Sequence, residues 1–153
     1  MSKRISFIGA GNMGGAILGG ILAAGKAKPE EIMAADLSAA KREEIRTQYG
    51  VLVTSDNKEA AKRAEILLLA VKPAFLDGAL AELRGSIEEK TVILSIVAGQ
   101  SLSSLIERAG TDRIVRAMPN IAALVGRSMT AYTTGNVTKE EKERAVSVLK
   151  AFG

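Results

Sequence analysis

The sequence predicts an α/β protein: one domain built on a doubly wound, mostly parallel sheet. Three observations carry that prediction. Apolar runs of strand length alternate with segments of helical pattern along the whole chain. One run, Glu65-Ile-Leu-Leu-Leu-Ala-Val71, is apolar without a break after its first residue, as in a parallel strand buried on both faces. A G-x-G-x-x-G spacing, made by Gly9, Gly11 and Gly14, separates the first apolar run from the first helical one.

The elements follow in order. Ile5, Phe7 and Ile8 form a short buried strand within residues 4–8, and a small-residue helix follows over Gly15–Ala24. Each glycine between them has its own role. Gly9 permits the sharp turn out of the strand. Gly11, lacking a Cβ, lets a pyrophosphate approach the backbone. Gly14 lets the helix pack closely on the sheet. The helix start then offers free N–H groups and a positive dipole end to the phosphates. With a strand before it and a helix after it, the motif reads as the dinucleotide-binding turn of a Rossmann-type sheet, not as a glycine-rich connection.

After a turn at Lys28-Pro29, Ile32–Asp36 reads as the second strand. Ser38 caps a helix that runs to about Tyr49 and stops at Gly50. Val51–Val53 is a third strand and Lys58–Arg63 a short helix. The Glu65–Val71 strand ends at Lys72-Pro73, with Pro73 at the first position of a helix reaching about Leu83. Thr91–Ile96 is the fifth strand, and Gly99-Gln100-Ser101 leads into a helix over Leu102–Arg108. Arg113–Ala117 is the sixth strand, and Ser128–Thr133 is a candidate seventh. Thr138-Lys-Glu-Glu141 has capping-box spacing and opens a last helix reaching Phe152. On that helix the charges of Lys139–Arg144 read as a solvated face. Val146, Leu149 and Phe152 recur at helical spacing, and the end of that stripe is expected to lie bare and support weak self-association. No linker, repeat or low-complexity segment divides residues 1–153, so a single domain is expected. The stop at Phe152-Gly153, straight after a helix, suggests a domain of a longer protein.

Composition narrows the function. With 153 residues, 47% hydrophobic and 25% charged, the chain has the make-up of one ordinary globular domain. The net charge is +4, the charges are interspersed, and there are two tyrosines, three phenylalanines and no tryptophan. No basic stripe is interleaved with stacking residues, which argues against nucleic acid as a partner. No run reaches the ~18 apolar residues that span a bilayer. Asn12 and the ordered glycines break the N-terminal apolar run that would otherwise resemble a leader. A cytoplasmic protein without a membrane partner is expected. There are no cysteines, hence no disulfide, thiol nucleophile or thiolate metal site. There are no histidines, hence neither the usual proton shuttle nor the commonest metal ligand, and no metal is expected. Chemistry here must come from a bound cofactor or from residues supplied elsewhere.

Four segments occur in one order: Phe7-Ile-Gly-Ala-Gly-Asn-Met-Gly14, Ala70-Val-Lys-Pro73, Ser95-Ile-Val-Ala-Gly99 and Arg116-Ala-Met-Pro-Asn120. Together they resemble pyrroline-5-carboxylate reductase, the last enzyme of proline synthesis. The resemblance covers the whole chain but only the family's N-terminal half. The family's helical dimerisation domain, which carries most of the imino-acid pocket, has no counterpart in residues 1–153.

The resemblance implies a residue-by-residue site. Ile8, Gly9, Ala10, Gly11, Asn12 and Met13 would form the pyrophosphate loop. Asp36 would read the adenosine ribose, and Asn57 would be a polar cofactor contact. Ala70, Val71, Lys72 and Pro73 would form a wall at the fourth strand's end. Ile96, Val97 and Ala98 would lie beneath the nicotinamide ribose, and Asn120 near the nicotinamide. All fall at C-terminal strand ends, where open α/β sheets bind ligands. Plainer readings stand beside these. Lys72 also fits a solvated cation, Asn57 a helix cap, Met13 core packing and Asn120 a turn former. Ser95 reads as a core hydroxyl bonded to backbone, having no base partner. No catalytic residue is assigned.

The chain departs from the family's Met-Pro-Asn-Thr-Pro at Met118-Pro119-Asn120-Ile121-Ala122, which loosens a loop facing the substrate. It also carries Asp36 where many relatives have a small polar residue beside a 2′-phosphate. The implied enzyme reduces the C=N bond of 1-pyrroline-5-carboxylate to L-proline, as a homo-oligomer using NADPH or NADH. On the cofactor the two lines diverge. The family points to NADPH. Asp36 lies about 20 positions beyond Gly14, where a carboxylate accepts from a ribose 2′-hydroxyl. A 2′-phosphate brings about two negative charges beside it, and Leu37 rather than an arginine follows. With only partial compensation from Ser38, Lys41 and Arg42, NADH is expected to bind at least as well as NADPH. Two other functions share these features: a deazaflavin-dependent NADP oxidoreductase, and a non-catalytic nucleotide-sensing module.

Overall fold

Apolar runs become strands and the capped segments between them become helices in the computed structural model. It describes residues 4–118 and 130–151, the side chain of Asn12 excepted. The order is β1 (Ile5–Ile8), α1 (Asn12–Ala23), β2 (Ile32–Ala35), α2 (Ala39–Tyr49), β3 (Leu52–Thr54), α3 (Asn57–Arg63), β4 (Ile66–Leu69), α4 (Leu76–Leu83), β5 (Val92–Ser95), α5 (Leu102–Ala109), β6 (Ile114–Met118), β7 (Ala131–Thr134) and α6 (Lys139–Lys150). The strands lie in one sheet in the order β3-β2-β1-β4-β5-β6-β7. β1 to β6 are parallel, and β7 pairs antiparallel with β6. The chain winds outward from β1 to β3, then returns past β1 to lay β4 on its other side. β1 and β4 therefore flank a topological switch point.

Side chains along each strand alternate between two cores, as the period of two requires. Ile5, Phe7, Ile66, Leu68 and Leu94 point to the side covered by α1, α2 and α6. Ile8, Leu67, Leu69 and Ile93 point to the side covered by α3, α4 and α5. Every residue of β1, β2, β4 and β5 is buried. Each fully buried leucine or isoleucine contributes about 1.5–3 kcal/mol relative to exposure. That explains why these runs read as unbroken apolar sequence.

The differences from expectation are local. α1 starts at Asn12, so Gly14 falls inside its first turn. Pro29–Glu31 forms a 3₁₀ turn before β2. Pro73 opens a second 3₁₀ turn, Pro73–Phe75, and not α4 itself. Its closing bond runs from the Phe75 N–H to the Lys72 carbonyl, and the helix begins at the fully buried Leu76. β3 is displaced by one residue because Gly50 ends α2 at φ 70° and Val51 is consumed in the turn into the sheet. β7 is described from Ala131, and Ser128 lies outside the described residues.

α6 corrects two expectations. Its inward stripe is Ala145, Val148 and Leu149, whereas Val146 is half-buried and Phe152 lies outside the described residues. Its charged start is not wholly a solvated face, because Glu141 is only 5% exposed. The capping box forms: the Thr138 hydroxyl accepts the Glu141 N–H at 3.1 Å, and Glu141 Oε1 accepts the Thr138 N–H at 2.8 Å. Glu141 Oε2 also pairs with the Arg113 guanidinium at the entry to β6. One carboxylate thus starts α6 and ties it to the sheet. Glu141→Ala should destabilise the fold by roughly 2–4 kcal/mol, because it removes the acceptor of the Thr138 N–H and the carboxylate paired with Arg113, while the Thr138 hydroxyl still caps the helix. Glu141→Gln, which keeps the cap acceptor, should cost less. Urea unfolding of the three proteins measures this, and equal midpoints would refute it.

Candidate dinucleotide-binding site

Three strand ends meet at Gly9. Its N–H donates to the Ala35 carbonyl at 2.9 Å, and the Ala70 N–H donates to the Ile8 carbonyl at 2.9 Å. Gly9 has φ +90°, and a Cβ there would lie 2.9 Å from the Ala70 carbonyl oxygen and 3.1 Å from Val71 Cγ1. No side chain fits, in conformation or in space. Gly14 is required by packing alone: its Cβ would lie 3.0 Å from the Gly9 oxygen and 3.3 Å from Ala70 Cβ. Gly11 differs from both. Its φ is −70°, and among the described residues, its chain neighbours aside, no atom lies within 4 Å of the point a Cβ would occupy. The packing of the described residues does not demand a glycine there.

Gly11 is also the N-cap of α1, and no side chain caps that helix. α2, α3, α5 and α6 are capped by Ser38, Asp56, Ser101 and Thr138. α1 carries no acidic residue in its first turn. Its leading N–H groups and positive dipole end are left for an anion.

In front of them opens a cleft of about 580 Å³, within the usual size range for small-molecule sites. Nine of the expected residues share its wall: Ile8, Gly9, Ala10, Gly11, Asp36, Asn57, Ala70, Val71 and Lys72. Leu37 and Phe75 stand at the same cleft, 83% and 64% exposed, two large apolar side chains left in water. Glu82 of α4 completes one side.

The remaining expected residues are placed elsewhere. Met13 packs half-buried against the core under α1. Asn12 is the first residue of α1. Pro73 opens the turn after Lys72 and does not line the cleft. The Ile96 N–H donates to the Leu69 carbonyl at 3.1 Å, which holds the Ile96–Ala98 segment beside the end of β4. Val97 is buried in the core under α4 and α5, Ala98 is exposed, and neither lines this cleft. Ser95 is buried, and its hydroxyl accepts the Val97 N–H at 3.3 Å, a structural role. Asn120, with Pro119, Ile121 and Ala122, lies outside the described residues.

The corner at Asp36 carries hydrogen bonds within the chain. Asp36 Oδ2 accepts the Ala10 N–H at 3.1 Å, and Oδ1 accepts the Ser38 N–H at 2.9 Å. The carboxylate clips the glycine turn to the start of α2, and two charge-assisted bonds already offset its charge. Arg42 bends back from α2: its Nη1 donates to the carbonyls of Asp36 at 2.8 Å and Leu37 at 3.1 Å. Lys41 pairs with Glu44 at 3.6 Å.

Asn57 does not cap α3. Asp56 does so, its Oδ1 accepting the Lys58 N–H at 3.0 Å. The Asn57 amide donates instead to Glu82 Oε2 at 3.4 Å. Sequence reasoning missed Glu82 because its partner comes from another helix. Leu37 and Phe75 left a faint signal, as apolar residues just beyond strand ends and outside any helical stripe.

Comparison with known proteins fits this geometry. Residues 4–99 match the family model described as NADP oxidoreductase, coenzyme F420-dependent. Pyrroline-5-carboxylate reductase of Escherichia coli K12 is 39% identical over 155 aligned positions, covering 100% of this chain and 58% of the relative. That of Methanosarcina acetivorans is 38% identical, with 57% of it covered. A solved pyrroline-5-carboxylate reductase from Coxiella burnetii superposes with a TM-score of 0.95 at 32% identity, over 100% of this chain and 57% of that one. A Plasmodium falciparum pyrroline carboxylate reductase with NADP bound superposes with a TM-score of 0.86 at 27% identity, over 99% of this chain and 55% of that one. The chain thus spans less than two thirds of the length of these relatives. It belongs to the NADP oxidoreductase, coenzyme F420-dependent family, as a homologue of the N-terminal NAD(P)-binding part of pyrroline-5-carboxylate reductase.

Proposed function

We propose that the switch-point cleft binds a nicotinamide dinucleotide. In this reading the chain is the cofactor-binding part of a reductase converting 1-pyrroline-5-carboxylate to L-proline. The observation that carries the reading is Gly11, a glycine on the cleft wall that the packing of the described residues does not require. Its bare Cα, next to the uncapped start of α1, fits a pyrophosphate brought against backbone. When bound, the dinucleotide supplies the hydride. The chain's residues hold and orient it: N–H groups of the glycine turn at the pyrophosphate, Asp36 and Arg42 at the adenosine ribose, and Ala70–Lys72 along the wall. The family description also names coenzyme F420, which favours a deazaflavin partner as a second reading. That match ends at residue 99, whereas the likeness to the proline enzymes runs through the whole chain.

The site test is Gly11→Val. The fold should tolerate it, since the added Cβ meets no described atom within 4 Å beyond its chain neighbours. Dinucleotide affinity should fall at least tenfold, about 1.4 kcal/mol. Unchanged affinity by calorimetry, with the melting temperature preserved, would make the loop a structural turn only.

For the cofactor, NADPH is the proposed preference, reversing the expectation drawn from Asp36 alone. The Asp36 carboxylate is held by two amide N–H groups, and the Arg42 guanidinium is turned back onto the backbone carbonyls of Asp36 and Leu37. A 2′-phosphate at the start of α2 would meet that guanidinium and the Ser38 hydroxyl. Paired titrations should give tighter binding of NADPH than of NADH. Arg42→Ala should weaken NADPH at least tenfold and leave NADH within about twofold. A native preference for NADH would return the role to Asp36.

A further inference from the structure

Asn57 and Glu82 meet on the wall of the cleft, one from the start of α3 and the other from the last turn of α4. The Asn57 Nδ2 donates to Glu82 Oε2 at 3.4 Å. The direction of that bond is forced. An ionised carboxylate only accepts, so it takes the nitrogen end of the asparagine amide and turns the oxygen end away. Asn57 has no competing duty, because Asp56 caps the helix. This part of the cleft therefore presents two acceptors, Asn57 Oδ1 and the Glu82 carboxylate, and beside Oδ1 the second N–H of the Asn57 amide, held in one orientation.

The carboxylate disfavours a phosphate here, and an amide fixed with Oδ1 beside an N–H suits a neutral ligand edge that sets a donor beside an acceptor. Nearby, Leu37 and Phe75 offer exposed apolar surface of the kind that covers a flat ring. β2 and β3, whose ends carry Asp36 and precede Asn57, lie on one side of β1, away from β5. In a dinucleotide centred on the glycine turn, that side takes the adenosine half. The flat ring there that carries an amino donor is adenine.

We propose that Glu82 is a positioning residue. It fixes the flip of the Asn57 amide, and the pair reads the exocyclic amino group of the adenine ring. This rests on the dinucleotide reading above and adds a base-selecting element to it. A base with a carbonyl oxygen in place of the amino group, and a ring N–H beside it, would set acceptor against Asn57 Oδ1 and donor against the amide N–H, and Glu82 holds the amide from turning to match.

The experiment compares NADPH with its hypoxanthine counterpart, which differs at that edge of the base. Both are titrated into the 153-residue chain by calorimetry. The native chain should bind NADPH at least tenfold more tightly than the analogue. In Glu82→Gln the new side chain can itself donate, and Asn57 is free to turn. Discrimination should then fall to within about twofold, with the melting temperature unchanged. Asn57→Ala should also abolish discrimination, and adding Glu82→Gln to it should remove nothing more. Equal binding of both dinucleotides by the native chain would overturn the proposal, as would full discrimination retained in Glu82→Gln. If the native chain bound neither dinucleotide, the cofactor reading itself would fall, and this inference with it.

Discussion

The contact between Gly9 and the carbonyl of Ala70 is the constraint on which the rest of the molecule depends. β1 and β4 pair from Ile5 against Ile66 to Ile8 against Leu69, and the next residue of each strand must then leave the sheet without collision. With 2.9 Å between the missing Cβ and the Ala70 oxygen, only glycine allows it. Gly14 extends the same constraint. α1 can start this close to the turn because its third residue has no side chain to press on Gly9 and Ala70. Two glycines therefore set where the helix begins and where its N–H groups point. The cleft follows from the topology, and its anion-seeking character from the helix start.

Gly11 stands outside that logic. No described atom beyond its chain neighbours crowds the place of its Cβ, and at a helix N-cap glycine is itself a favoured residue. The three glycines share a motif but stand differently: two are closed in by the chain, and the third faces the cleft. A sequence pattern cannot separate them, because G-x-G-x-x-G looks the same whether the space is filled by backbone or left for a phosphate. Clearance around each missing Cβ separates them at once.

Much of the fold was legible in the sequence because parallel strands buried on both faces are written as unbroken apolar runs. Ile66–Leu69 and Val92–Ser95 needed no structural help. Helix ends were legible where short polar side chains do the capping, as at Ser38 and Thr138. What stayed hidden depends on distance in sequence. Glu141 was legible as the far end of the capping box but not as the counter-ion of Arg113, since only the fold brings Arg113 to it. Asn57 read equally as a cap or a contact until Asp56 proved to hold the capping bond. Glu82, on a helix with no motif, gave no signal at all.

Asp36 shows why a strand-end carboxylate is an incomplete guide to cofactor choice. Read alone, it is a free anion waiting for a ribose hydroxyl. In the fold it is a brace, joining the Ala10 amide of the glycine turn to the Ser38 amide at the head of α2. Arg42 reinforces the same corner through the carbonyls of Asp36 and Leu37. The glycine turn and the start of α2 are therefore parts of one hydrogen-bonded unit. A carboxylate already used in this way braces the fold whether or not it also meets a ligand, so its place at a strand end does not by itself choose between a hydroxyl and a phosphate.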